Sequence, residues 1–484
     1  MRAPLRPSPP RFAGILLLLA LVPTSLRAAR ADEPHHLAGP DHPVTAPAPH
    51  VPEPVDAWVY DELEWQWTLG RLTELPLGSR PLARSQIAAA VARALAEGHT
   101  SVGLERLARE FAWEARQMGL DVGHSDTPPL FTLGPRGSLL KANAVARAAG
   151  VFENGEAPAV GSLSWLGLRP QYWSESDFGG FIEFRITEVP DSERLGDPVI
   201  SGTDITYLVP RFALTWHTRW VELWAGRDNV RWGPGRSGGL LAGGGSGPYT
   251  QAGYRLHVGS LLTFTALHGW LSQAEGRYVA FHRLDFRPVP NLRLGIAEGA
   301  RYDGTGIEPL YLINLVTYAA AERMLTQDGT EGANRDSLFR SNFNIGVDVA
   351  WTVTPGTTLY GEFMLDDWKT DGSGPTRLAY QAGARWVREG ARRLSLQAEL
   401  TRVYNYTYTV FYGRDFLHSG GFLAYGRGPD TGDLRLWADL DLNLDWSLGL
   451  EAFWARTGEG NRAGAWCPET FETENPYGTR CQDH

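Results

Sequence analysis

The stretch "DLRLWADLDLNLD", residues 433–445, decides the fold. Leu434, Leu436, Ala438, Leu440, Leu442 and Leu444 take alternate positions, and Arg435, Trp437, Asp439, Asp441 and Asn443 fall between them. A period of two is that of a β-strand, so one face is apolar and the other charged. "LYGEFMLD" (359–366), "RLSLQAELT" (393–401) and "NFNIGVDVAW" (342–351) repeat the pattern. In the second of these, Leu394, Leu396, Ala398 and Leu400 oppose Ser395, Gln397, Glu399 and Thr401.

Soluble sandwiches also alternate, but their strands run about five or six residues. These segments run about ten, the length that crosses a hydrocarbon layer at a tilt. Tryptophans gather at their ends: Trp165 and Trp173, Trp216 and Trp220, Trp351, Trp368, Trp446 and Trp454. An indole has an apolar body and one donor, which suits a membrane interface. No segment after the N-terminal region reaches about 18 consecutive apolar residues, so strands rather than helices would do the crossing. The expected fold class is therefore mainly β, a transmembrane antiparallel β-barrel.

Strands are expected near 139–149, 161–171, 178–188, 204–217, 220–229, 251–259, 261–271, 277–288, 291–301, 341–352, 357–368, 377–388, 393–409, 433–444 and 446–457. Their connections alternate long and short, with "GS", "VPN", "TPGT" and "EGAR" among the tight ones. Single-chain bacterial barrels have an even count, so about 16–18 strands are expected. The missing ones are sought in "PLYLINLVTYAAA" (309–321) and in the C-terminal tail.

The N-terminal part reads differently. Arg2, Arg6 and Arg11, the apolar run 12–22 and the Ala29-Arg30-Ala31 site make residues 1–31 a signal peptide. Residues 32–56 are proline-rich and aperiodic, an extended linker whose His35, His36, His42 and His50 have no fixed geometry in which to hold a metal. Residues 57–125 switch to helical spacing: Leu63 with Trp67, then Ile87, Val91 and Leu95, then Leu104, Leu107 and Phe111. Ser85 is the expected cap of the second helix and Gly98 its stop. This small bundle should lie on the periplasmic side of a barrel that occupies 126–484. The only cysteines, Cys467 and Cys481, suggest one local disulfide, closing a loop of about 15 residues and contributing about 3 kcal/mol.

The net charge of −10 argues against nucleic acid as a partner. Outer-membrane lipid and the barrel insertion machinery are the partners that this class of chain requires.

One loop carries patterns of other classes. In "GRDNVRWGPGRSGGLLAGGGSGPY" (226–249), Gly233, Gly235 and Gly238 spell a dinucleotide fingerprint, and Gly235, Ser237 and Gly239 a nucleophile elbow. Each needs a helix immediately behind it, which Pro234 and the run "GGGSG" forbid. No catalytic residue, metal site or cofactor is expected. Asp439, Asp441, Asn443 and Asp445 resemble the start of a calcium loop, but leucines fill the alternate positions, so these are expected to be lumen-facing strand residues. Asp366 and Asp367 are adjacent on a strand, point to opposite faces and cannot form an acid pair.

The stretches "GRDNVRWGPG" (226–235) and "DELEWQWTLGRLTELPLGSRPLARSQI" (61–87) resemble the capsule assembly Wzi family of Gram-negative outer membranes. The motif positions are Gly226, Arg227, Arg231, Trp232, Gly233, Pro234 and Gly235 in the loop, and Leu75, Pro76, Pro81 and Leu82 before it. The resemblance implies a large barrel with a periplasmic helical bundle that binds capsular polysaccharide without catalysis. A glycan site needs aromatic faces and forked donors, and Arg227, Asp228, Arg231, Trp232 and Arg236 are the candidates. The loop is expected either to touch glycan or to plug the lumen and shape the surface that does. The competing expectation is a porin-like diffusion channel for small solutes.

Overall fold

The computed structural model describes residues 57–124, 131–133, 138–147, 165–174, 178–188, 205–218, 220–313, 316–327, 341–367, 376–390, 392–410, 413–444 and 446–458. The signal peptide, the linker, Cys467, Cys481 and Asp445 lie outside them.

Sixteen strands form one antiparallel sheet that follows chain order. Fifteen of them are Ser138–Arg147, Trp165–Ser174, Phe178–Glu188, Ile205–His217, Val221–Asp228, Tyr249–Val258, Leu262–Ser272, Arg277–Val289, Leu292–Asp303, Asn342–Thr354, Thr357–Asp367, Arg377–Arg388, Leu394–Val403, Thr431–Asp441 and Ser447–Thr457. All fifteen fall on the segments marked by alternation. The sixteenth, Phe131–Leu133, is too short to show a period. Among the described residues of 309–321 the additional strands sought there are absent: helices α4 (Pro309–Ile313) and α5 (Tyr318–Gln327) stand in their place, and the C-terminal tail, the other place where strands were expected, lies outside the described residues. That run is apolar without period two, and its apolar side chains pack on a neighbouring surface instead of crossing a bilayer.

The two faces of the sheet are inverted relative to a soluble protein. Leu359, Leu400 and Leu436 are 46%, 47% and 49% exposed, whereas Glu362, Glu399 and Asp433 on the opposite face are 7%, 1% and 1% exposed. Such an arrangement is favourable only when lipid is the outer solvent. Trp220, Trp351, Trp446 and Trp454 are exposed on the expected girdle. The side chains of Trp165, Trp173, Trp368 and Asp367 lie outside the described residues.

Ahead of the sheet, α1 (Ala57–Thr68), α2 (Arg84–Ala96) and α3 (Val102–Gln117) pack around Leu63, Trp67, Ile87, Leu104 and Phe111, all fully buried. Gly98 ends α2 at φ +84°. The cap assigned to Ser85 is corrected: α2 starts at Arg84, Ala83 occupies the cap position without a side-chain bond, and Ser85 is inside the helix. Pro81 and the buried Leu82 fix the chain just before this point, so the helix begins two residues earlier than the serine suggested. Ser101 does cap α3, accepting from the Leu104 amide at 3.1 Å.

These helices dock on the sheet end that carries the short turns. The Gly356 amide donates to the Thr68 carbonyl at 2.8 Å, Arg71 pairs with Glu389 at 2.7 Å, and Arg106 donates to the Leu444 carbonyl at 3.0 Å. Asn443 is a second correction: its strand ends at Asp441, and its side chain accepts from the Trp446 amide at 2.9 Å, closing a turn. Asp439 and Asp441 do face inward, bonded to Arg236 and Arg393.

Candidate functional site

The glycine loop, 229–248, joins strands Val221–Asp228 and Tyr249–Val258. It does not project away from the sheet but folds onto its polar inner face, and Leu240, Leu241 and Ala242 are 0–2% exposed. Arg231 and Trp232 form a short antiparallel ladder with Arg80 and Ser79, on the segment between α1 and α2, and the Gly233 amide donates to the Gly78 carbonyl at 2.9 Å. Loop, wall and helical unit are thereby hydrogen-bonded into one body.

Glycine is demanded here by close approach. Gly233 has φ +98°, and a Cβ on it would run into the Glu362 carboxylate. A Cβ on Gly239 would overlap the Trp232 carbonyl. The run that excluded a nucleotide cradle is the run that lets this backbone lie against the wall.

Glu399 receives the loop. Its carboxylate accepts from the Arg236 amide at 2.8 Å, the Ser237 amide at 3.1 Å, the Ser237 hydroxyl, the Tyr360 hydroxyl at 2.7 Å and the Gln381 amide group at 3.2 Å. Ser237 thus donates to a structural carboxylate, and Leu240, with no helix before it, donates its amide to Glu362 at 2.8 Å. Charged acceptors make such bonds roughly twice as strong as neutral ones.

Arg236 spans the parts. It reaches Asp439 on the wall at 2.7 Å and Asp61 of α1 at 2.9 Å, with its guanidinium 5.3 Å from the Trp437 ring centroid and 5.8 Å from that of Trp65. Burial pushes the Asp61 carboxyl up, against the pull of Arg236, Arg231 and Arg80. One helical turn on, Glu64 accepts from Arg293 at 2.8 Å and from Arg80 and Arg385 at 3.0 Å each. Burial pushes the Glu64 carboxyl up as well, but these three guanidiniums outweigh it and hold it at about 2.

The residues singled out in the sequence separate by role. Trp232 is 2% exposed, its ring 5.6 Å from that of Phe281 in a T-shaped contact. Arg231 donates to the Gly235 carbonyl and, at 2.6 Å, to that of Arg236, so it braces the turn through Pro234. Asp228 is buried and accepts from the Asn229 amide at 2.8 Å. Arg227 alternates with Asp228 and so belongs to the opposite face of the strand, away from the loop. Glu399, Glu362 and Glu64 carried no motif; their one signal was an inward position in an alternating strand, or a helix position among tryptophans.

Residues of a second long connection pack against the loop. Tyr408 donates to the Leu240 carbonyl at 2.8 Å, the Gly243 amide donates to the Leu423 carbonyl at 2.9 Å, and Phe416 and Phe422 are buried beside them.

The sequence profile of the Capsule assembly protein Wzi family matches residues 212–475. The chain belongs to the Wzi capsule-assembly family. Among solved structures, it is similar to Wzi of Escherichia coli, an outer-membrane protein involved in group 1 capsule assembly and a carbohydrate-binding β-barrel, at 16% identity and a TM-score of 0.55, covering 85% of this chain and 86% of that one. At that identity the likeness establishes the fold, and this Wzi-family chain is an outer-membrane β-barrel. Lower similarities include the loop L8 deletion mutant of OmpT of Vibrio cholerae (12% identity, 67% of this chain and 93% of that one, TM-score 0.34) and OpdK of Pseudomonas aeruginosa (11%, 67% and 84%, 0.35). No curated protein matches the sequence. Within the Wzi family's matched region lie the glycine loop and its wall acceptors, Glu362 and Glu399.

Proposed function

We propose that this protein binds and organises capsular or other extracellular polysaccharide at the cell surface, without catalysis and without an open pore. The observation that carries this reading is the double anchorage of the glycine loop, to the wall through Glu399 and to the helical unit through Arg236 and Asp61. A diffusion channel needs a continuous aqueous path, and a loop bonded at both ends inside the sheet opposes one.

The helical unit sits at the short-turn end, which in bacterial barrels is periplasmic, so the opposite end of the sheet faces outward to the polysaccharide. Within this reading the loop acts as a plug that shapes the binding surface. Trp232 is buried, and Arg231 and Arg236 are engaged by the protein itself, which leaves them poorly placed to hold sugar directly. The similar Escherichia coli barrel is described as carbohydrate-binding, in keeping with this assignment.

The test pairs two measurements, one on the purified protein and one on cells. Reconstituted in a planar bilayer, the protein should give no stable conductance, and in cells lacking it surface polysaccharide should be shed into the medium. Stable channels from the unmodified protein, with polysaccharide retention unaffected by its deletion, would return the assignment to a porin.

A further inference from the structure

Neighbouring strand positions face opposite ways. On the strands Arg277–Val289 and Leu292–Asp303, Phe281 faces the plug, its ring 5.6 Å from that of Trp232 and 5.8 Å from that of Phe416. Tyr278, Ala280 and His282 therefore face out of the barrel, as do their register partners Tyr302, Ala300 and Glu298. Elsewhere that outer face carries residues such as Val347, Leu359, Phe363 and Leu400. Here it carries a carboxyl group, that of Glu298, 2.9 Å from the His282 imidazole, and two phenols. Facing hydrocarbon at mid-depth, a charged group costs about 2–4 kcal/mol.

The helices α4 and α5, from the long connection 304–341, cover them. The ring of Tyr311 stacks 4.6 Å from that of Tyr302, and the ring of Tyr318 lies 4.3 Å from that of His282. The Tyr318 amide donates to Glu298 at 2.8 Å, and the Glu308 amide to the Tyr302 hydroxyl at 3.1 Å. Tyr311, Tyr318 and Ala321 are 0–1% exposed, in a cluster separate from the plug's own. The two helices thus lie against the outside of the wall. On its far side Leu312 and Met324 are 48% and 47% exposed.

We propose that α4 and α5 form a shelf embedded in the outer leaflet, with lipid acyl chains as the partner of Leu312 and Met324. Depth supports this. His282 is five residues from the strand end at Arg277, and with a rise of about 3.3 Å and a tilt of about 45° it lies about 12 Å below that end. Helices satisfy their own backbone groups and are tolerated at such depth, whereas bare loop is not. Continuity supports it too: lower on the same strands, Phe286 and Ile296 belong to the lipid-facing belt, and Leu312 and Met324 extend that belt over the covered polar patch. The barrel would then meet the outer leaflet through helices on one side and through bare strands on the rest.

The test places a bimane fluorophore at Leu312→Cys and Met324→Cys, with Leu400→Cys as wall reference and Glu275→Cys as exposed-turn reference, in full-length protein carrying Cys467→Ser and Cys481→Ser. The proteins are reconstituted in phosphatidylcholine vesicles, and quenching by doxyl-labelled lipid is compared with quenching by aqueous iodide. Positions 312 and 324 should follow the wall reference, quenched severalfold more by doxyl lipid than by iodide. Thr317→Cys, also exposed, replaces either variant if it fails to insert. Iodide quenching equal to that of the turn reference would overturn the proposal. So would protection of both positions from both quenchers, which would make the shelf a protein contact between copies.

Discussion

Arg236 lies 2.9 Å from Asp61 and 2.7 Å from Asp439, so a single guanidinium ties the plug loop both to the first helix and to the barrel wall. The two carboxylates are far apart in sequence, and each adds to the bonds that Glu399 and Glu362 already make to the loop. Under the proposed plug reading, closure of the lumen draws on this tie to the helical unit.

Arg236→Ala should loosen that closure. Removing a charged donor from partly buried carboxylates costs about 1.5–3 kcal/mol, and the cost falls on the plug while the sheet ladder is untouched. Intermittent conductance should appear in planar bilayers while the barrel keeps its heat-resistant gel mobility. A variant as silent as the parent would show that other contacts hold the plug closed.

Glu399→Ala removes the acceptor of two loop amides, the Ser237 hydroxyl and the Tyr360 hydroxyl. Left buried without a partner, each group carries a desolvation cost of about 1–3 kcal/mol. The loop should swing out and become a trypsin substrate at Arg231 and Arg236. Unchanged resistance to trypsin in the folded variant would contradict this role.

Trp232→Ala distinguishes plug from sugar platform. Loss of a buried indole costs about 3–5 kcal/mol in a packed site, so thermal stability should fall and conductance rise together with any loss of polysaccharide retention. Retention lost with no change in stability or conductance would instead indicate direct contact with glycan.

Acid should undock the helical unit through Glu64. Its folded value, about 2, is below the ordinary 4.5, so this carboxylate adds stability above about pH 4.5 and loses it as pH falls towards 2. The difference corresponds to about 3 kcal/mol. Trp67 lies beside Arg293, with 4.0 Å between guanidinium and ring, so its fluorescence reports the change. In Glu64→Gln the transition in this window should disappear.

Ser101→Ala should destabilise the helical unit by about 1 kcal/mol, whereas Ser85→Ala should leave it nearly unchanged. Urea titration of the detergent-solubilised protein reads both. Equal effects would restore Ser85 as a cap.

The sequence by itself determined the wall. A period of two sustained over about ten residues is local information, and it located fifteen of the sixteen strands and the lipid-facing residues. It also determined that the glycine run was no nucleotide or nucleophile motif, because the helix such motifs require was excluded by Pro234 and its neighbours. Tertiary structure alone decided where the loop goes. That depends on Glu399, Glu362 and Asp61, carboxylates more than a hundred residues away whose meaning arises only when the sheet brings them opposite Arg236 and Leu240. The helices at 309–327 follow the same rule. Their apolar residues have no strand period, and what they cover, the outward pair His282 and Glu298, is defined by the register between two strands, which no single stretch of sequence contains.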